Sequence, residues 1–135
     1  MPALTDDPNS PALTLALALA GSNEAVITIP REGSDSFADA SGRFSLLRHE
    51  LSHGEYFSNP DFAEFVHRFW TRTLNQPERD HLIAYLKSQG YDTTLPELME
   101  NEAQAYLVFT LDPAFFTAAM VRMTEDRRTA LRDAF

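Results

Sequence analysis

The stretch from Phe44 to His53, FSLLRHELSH, decides how this chain is organised. Its apolar residues recur with helical spacing, so it predicts a helix that ends near Gly54. Residues i and i+4 of a helix share one face, and the imidazoles of His49 and His53 can therefore reach one tetrahedral metal ion. Glu50 then lies beside a metal-bound water, where a general base is needed. The stretch predicts a catalytic metal site.

The predicted helix has two different faces. Small polar residues and the second histidine share the face of His49, and bulky apolar residues lie opposite: Ser45, Ser52 and His53 against Phe44, Leu47 and Leu51. We expect the apolar face to pack into the core and the histidines to face a polar cleft. The alternative is a surface helix on which two histidines form caps or cross-links and Glu50 is solvated.

A catalytic zinc site needs a third protein ligand and an open position for water. The chain has no cysteine, so only imidazole and carboxylate are available. Glu102 is the strongest candidate, because it lies in an apolar stripe where an unpaired carboxylate would cost several kcal/mol. An ion pair with Arg43 or Arg48 would satisfy Glu102 equally. The weaker candidates are Asp61, His67, Asp80 and His81, and both histidines are typical of ordinary surface or boundary positions.

An oxyanion donor is also required if the site hydrolyses an amide. Tyr106 lies one helical turn beyond Glu102 on the same face, so it is the candidate, although a core tyrosine would show the same pattern. Tyr56 and Tyr91 lie in predicted loops that could line the cleft.

The whole sequence predicts a single α+β domain over residues 1–135, with a loose terminus at 1–11 and a small N-terminal sheet or hairpin followed by about five helices. The hairpin is predicted from alternation in 13–20, a turn-like stretch, and the run from Ala25 to Ile29, with a short helix as the competing interpretation of 13–20. After the motif helix, further helices are predicted to start at Pro60, Pro77 and Pro96, with a last one from Asp112 that breaks at Thr124.

The motifs resemble those of the gluzincin metallopeptidases, which combine H-E-x-x-H with a glutamate ligand on a later helix, often within Asn-Glu. The matching residues here are His49, Glu50 and His53, and then Asn101-Glu102. The resemblance implies that His49, His53 and Glu102 bind one Zn²⁺ and that Glu50 is the base of peptide hydrolysis.

The same resemblance implies a zincin-like fold, in which an edge strand, here Ala25 to Ile29, binds the substrate backbone. It also has departures. Tyr106 stands where thermolysin-like members carry an aspartate that orients a histidine, so the hydrogen bonds around the ligands must differ. The glycine and third histidine of the metzincins are absent.

Composition limits the partners. A net charge of −9 opposes binding to nucleic acid and to anionic membranes. The resemblance implies a peptide or protein substrate, and the oligomeric state stays open. The apolar segment 12–20 follows two aspartates where a signal peptide needs positive charge, which predicts a cytoplasmic protein. Two other functions stay open: a catalytically silent, metal-stabilised binding module, and a metal-dependent hydrolase of a non-peptide amide.

Overall fold

The computed structural model describes residues 17–18 and 25–135, with the side chains of 17, 18 and 26 left out. The predicted loose terminus and most of the first predicted strand lie outside the described residues. The elements, in chain order, are β1 (Leu17–Ala18), β2 (Ala25–Val26), α1 (Ala40–Ser58), α2 (Pro60–Arg68), α3 (Gln76–Ser88), α4 (Pro96–Gln104) and α5 (Glu125–Ala134). A π-helical segment, Phe69–Thr73, extends α2, and a second one, Ala105–Phe109, extends α4. A short 3₁₀ helix, Ala118–Val121, precedes α5.

The predicted α+β class, with a zincin-like N-terminal sheet or hairpin, is wrong. Strand pairing within the described residues joins only Leu17 to Val26 and Ala18 to Ala25, which is too short to form a layer of the fold. Helices provide the layers instead. The run from Ala25 to Ile29 was misread as a strand because apolar, β-branched residues show only that a segment is partly covered, whatever covers it: Ile27 packs on α1, not within a sheet.

The motif helix is longer than predicted. It begins after Asp39, whose side chain accepts a hydrogen bond from the Gly42 amide at 2.7 Å, and it continues through Gly54 to Ser58. Gly54 does not end the helix, because its backbone keeps the helical conformation. A Cβ there would lie 3.3 Å from Ile27 Cδ1, so the glycine allows the β2 segment to cross the helix closely.

Capping explains where the later helices begin. The Asn59 side chain caps α2, and Asn75 forms a capping box with Glu78 at the start of α3. Thr124 caps α5 by accepting from the Arg127 amide, which confirms the predicted break. The predicted helix start at Asp112 is wrong, because the chain forms turns there before the 3₁₀ helix.

The core surrounds α4 and its π-helical extension. Its fully buried side chains come from α3, α5 and the segments between them and include Leu82, Leu107, Phe116 and Leu131. Arg128 of α5 is also buried and donates to the backbone carbonyls of Tyr106, Leu107 and Thr110, at the end of the π-helical segment. These bonds fix the point at which the extended α4 ends. Among the described helices, none is both long and apolar enough to cross a membrane.

Candidate metal centre

Helix α1 faces the opposite way from the prediction. His49, Glu50 and His53 are only 6–7% exposed, whereas Phe44 and Leu51 of the supposed core face are 60% and 51% exposed. The histidines therefore point into the protein, towards α4 and its extension, and not into an open cleft. Burial of this polar face requires that its donors and acceptors find partners.

Three side chains converge between α1 and α4. The two imidazole Nε2 atoms of His49 and His53 lie 3.0 Å apart, and Glu102 Oε2 lies 3.7 Å from the first and 3.5 Å from the second. Within the part of the chain that the structure describes, these are the side chains of metal-binding type whose ligand atoms lie close enough to share one ion. The structure thus juxtaposes the three residues that the sequence predicts as metal ligands.

The spacing of these atoms fits a small tetrahedral ion. They lie on a circle of radius about 2.0 Å, so a point about 2.1 Å from each, the usual zinc to ligand distance, lies about 0.7 Å from their plane. An ion at the centre of a tetrahedron has that displacement from the plane of three ligands. The fourth direction is not taken by any further His, Asp or Glu of the described residues.

The proton on His49 is fixed by Thr110, at the end of the π-helical segment. The Thr110 hydroxyl donates to the backbone carbonyl of Ala105 at 3.0 Å, so its single hydrogen is used. It can then only accept from His49 Nδ1, which lies 2.8 Å away. In the neutral ring, His49 therefore carries its proton on Nδ1 and a lone pair on Nε2.

A chain of hydrogen bonds from Ser52 through Gln104 to Asn101 fixes the position of the proton on His53 in the same way. The Ser52 hydroxyl donates to the His49 carbonyl at 2.6 Å and accepts from Gln104 Nε2 at 3.0 Å. The same amide nitrogen lies 3.3 Å from Asn101 Oδ1, which identifies that atom as the oxygen. His53 Nδ1 lies 3.0 Å from it and must donate, so the His53 lone pair is also on Nε2.

Two lone pairs thus face each other across 3.0 Å, with a carboxylate oxygen beside them. No hydrogen bond can form between them in the neutral rings, and the contact needs a shared positive charge, either a proton or a metal ion. Burial lowers the pKa of His53, but the carboxylate of Glu102, the Asn101 acceptor and Glu50 together raise it above its ordinary value. For His49 burial prevails, and its pKa is lowered.

Glu102 is a buried carboxylate whose Oε2 has no hydrogen-bond partner. Burial favours its neutral form, yet the two imidazoles outweigh burial and lower the pKa of Glu102 to about 2. The alternative arginine partners lie elsewhere. Arg43 donates to the Pro30 carbonyl, and the Arg48 guanidinium lies beside its neighbour on the helix, the Phe44 ring.

Glu50 lies at the same buried junction, next to both His53 and Glu102. One of its oxygens, Oε2, is buried without a partner. Burial raises the pKa of Glu50 to about 7, with the Glu102 charge adding to the rise and His53 opposing it. A carboxylate with an unused oxygen and a pKa near neutrality has the properties of a general base.

Two tyrosines border the centre. The Tyr106 ring packs edge-on against His49, with centroids 4.8 Å apart, and its hydroxyl lies 3.4 Å from that of Tyr91. Burial raises the pKa of Tyr91, and the charge of Glu102 raises it further, so this hydroxyl lies near the ligand carboxylate. The structure places Tyr106, the candidate oxyanion donor, beside His49. It adds Tyr91, which the sequence left unranked in a loop.

The other sequence candidates lie away from the centre. His67 Nδ1 is 2.9 Å from Glu100 Oε2, and the Tyr56 hydroxyl donates to the other oxygen of Glu100 at 3.1 Å. Asp80 accepts a hydrogen bond from Gln76, and Asp61 lies exposed in the first turn of α2. His81 borders a separate pocket between α3 and the 3₁₀ helix, among Tyr85, Ser88 and Arg122.

Sequence reasoning missed the supporting residues Asn101, Gln104 and Thr110. Asn101 stands beside Glu102 in the Asn-Glu pair, and that adjacency was its only signal. Thr110 had none, because its position depends on the wide turn of the π-helical segment.

No protein-family model, curated protein or solved structure matches this chain. Its resemblance to gluzincins therefore rests on the short motifs.

Proposed function

We propose that this chain binds one zinc ion through His49, His53 and Glu102 and hydrolyses peptide bonds in the manner of a gluzincin-type metallopeptidase. The observation that carries the proposal is the meeting of two imidazole lone pairs and an unpartnered carboxylate oxygen at zinc-like spacing. Two imidazoles and a carboxylate are a typical catalytic zinc set, and three protein ligands leave one position for water.

When bound, zinc would lower the pKa of its water towards neutrality and polarise the substrate carbonyl. Glu50 would take the proton from the attacking water and deliver it to the leaving amine. Tyr106 or Tyr91 would donate a hydrogen bond to the oxyanion, since their hydroxyls lie together beside the centre. Asn101 and Thr110 would hold the two imidazoles in the tautomers that expose Nε2.

The substrate is proposed to be a peptide or protein, on the strength of the motif and of the positioned base. A cytoplasmic location belongs to the same proposal and is checked by cell fractionation. The predicted substrate strand at Ala25 to Ile29 is not kept, because only Ala25–Val26 pairs as a strand.

A catalytically silent metal-stabilised module is the second candidate. The burial of all three ligands favours it, because a metal there would tie α1 to α4 whether or not a substrate could enter. Against it stand the three-residue ligand set and Glu50, since a structural zinc site usually has four protein ligands and needs no base.

The test is zinc content by elemental mass spectrometry together with zinc-dependent peptide hydrolysis, in wild type and in Glu50→Gln. We expect one zinc per chain in both proteins, and turnover about 10²–10⁴-fold lower in the variant because the base is lost. Glu55→Gln is the matched control, as Glu55 is an exposed glutamate of the same helix. Unchanged zinc-dependent turnover in Glu50→Gln would refute the mechanism, and zinc without any turnover in wild type would favour the silent module.

A further inference from the structure

An apolar groove lies between the end of α1 and the start of α4. Its volume is about 450 Å³, within the range of ligand sites and larger than one aromatic side chain. Two bulky side chains in its walls are half exposed, Phe57 at 49% and Leu95 at 51%. Leu98 adds a third apolar wall, so the groove offers apolar surface that no described residue covers.

The groove shares one residue with the surroundings of the proposed zinc centre. Asn101, one of its lining residues, is the side chain that accepts the hydrogen bond from His53 Nδ1. Tyr56, another lining residue, is held by the buried carboxylate of Glu100 at 3.1 Å, and Glu100 is held in turn by His67. A ligand in the groove would therefore contact side chains that are already fixed in position.

Charge at the rim is negative. Glu97 lines the groove and is exposed, and its charge acts on Tyr56 across it. None of the described lining residues is basic, and the chain as a whole carries a net charge of −9. An apolar occupant with a positive charge beside it would complement both the walls and the rim.

We propose that this groove binds a large apolar side chain of the peptide substrate, with a basic residue next to it in the substrate sequence. The inference rests on the proposed function and adds to it a substrate class. It also assigns the residues that select the substrate: Leu95 and Leu98 recognise the apolar side chain, and Glu97 recognises the basic one.

Binding is measured first, without cleavage. The protein is zinc-loaded Glu50→Gln, and the probes are blocked, fluorescently labelled octapeptides that place Leu-Lys, Ser-Lys or Leu-Glu within an alanine and glycine background. We expect the Leu-Lys peptide to bind about tenfold more tightly than either of the others, as one apolar side chain or one rim charge allows. Equal anisotropy titrations for all three peptides would overturn the proposal.

Substitutions in the groove then identify the site. Leu95→Ser should weaken binding of the Leu-Lys peptide about tenfold. Glu97→Lys should reverse the binding preference between the Leu-Lys and Leu-Glu peptides. Both positions are exposed, so neither change should alter zinc content. The melting temperature should rise slightly in Leu95→Ser, which places a serine at the N-cap of α4, and fall slightly in Glu97→Lys, which removes an acid from its first turn. Leu111→Ser, at a 37% exposed leucine outside the groove, is the matched control and should leave all titrations unchanged.

Hydrolysis separates this inference from the proposed function. In the catalytically intact protein, Leu95→Ser should lower kcat/KM for the Leu-Lys peptide and leave that for the Ser-Lys peptide unchanged. If wild type cleaves with zinc but Leu95→Ser and Glu97→Lys behave like wild type, the groove assignment fails alone. If the peptides bind as expected and no cleavage occurs, the peptidase fails, and the groove holds a partner segment instead of a substrate.

Discussion

Two glutamates of α4, two residues apart, meet histidines from different helices, and the two encounters differ. Glu100 Oε2 lies 2.9 Å from His67 Nδ1. This is a direct hydrogen bond between a buried carboxylate and an exposed imidazole. Glu102 Oε2 stays 3.5–3.7 Å from two imidazoles and has no hydrogen-bond partner. Glu100 and His67 meet each other's hydrogen-bonding needs directly. Glu102 and the two imidazole lone pairs need an added cation between them. Proximity of His and Glu alone therefore does not support a metal site; the spacing and the lone pairs are what support the proposed one.

The largest expected effect separates the two glutamates directly. Glu102→Gln should lower zinc affinity more than 100-fold, beyond the loss typical of residues that only support a ligand, because it removes an anionic ligand. Glu100→Gln is the matched control and should keep one zinc per chain. Elemental analysis and competition with a chelating dye measure both. Equal zinc affinity in Glu102→Gln and Glu100→Gln would show that the two glutamates do not differ in their role towards zinc.

Zinc should also stabilise the fold, and this stabilisation should depend on Glu102 but not on Glu100. At a free zinc concentration of 100 times Kd, the free energy of unfolding should rise by about 2.7 kcal/mol. For a domain of this size that is a rise in melting temperature of about 10 °C. Glu100→Gln should show the same rise and Glu102→Gln almost none, as read by circular dichroism melts with and without zinc. A rise that persists in Glu102→Gln would point to zinc bound elsewhere.

Thr110→Val tests whether the tautomer of His49 matters. The change keeps the side-chain shape and removes the hydroxyl that accepts from His49 Nδ1. Zinc affinity should fall about 10–100-fold, the usual loss when a partner of a metal-binding histidine is removed. Thr117→Val, away from the centre, is the control. An unchanged zinc Kd in Thr110→Val would show that the imidazole is oriented by packing alone.

The smallest effect concerns the satisfied pair. His67→Ala removes one of two hydrogen-bond donors to Glu100, but water can replace it because the His67 side chain is 60% exposed. The free energy of unfolding should fall by about 1 kcal/mol and zinc binding should not change. Urea titrations measure the first quantity, with His81→Ala as the reference. A loss of zinc in His67→Ala would mean that the two pairs are coupled through α4.

The meeting of the three candidate ligands could be predicted from the sequence, in part from local geometry and in part from burial. His49 and His53 are one helical turn apart, and the isolation of Glu102 within an apolar stripe required a buried cation as its partner. The orientation of α1 could not be predicted in this way. Helical periodicity separates two faces, but it does not say which is buried, and here the hydrogen bonds of Ser52 and of the two histidines made the polar face the inner one.

The sheet was wrongly predicted for a related reason. An apolar, β-branched run such as Ala25 to Ile29 shows that the segment is partly covered, and the sequence does not record whether a strand or a helix covers it. The helix starts at Pro60 and near Pro77 were correct because caps act locally: Asn59 and Asn75 each satisfy amides within three residues.

The π-helical turn of Ala105–Phe109 places one more residue in a turn than an α-helix would. If the same residues formed a regular α-helix, everything beyond them would be rotated by about 100° around the helix axis. Thr110 would then leave His49, while Glu102, which precedes the segment, would keep its place. The wide turn therefore sets the hydrogen-bond partner of His49 independently of the position of Glu102.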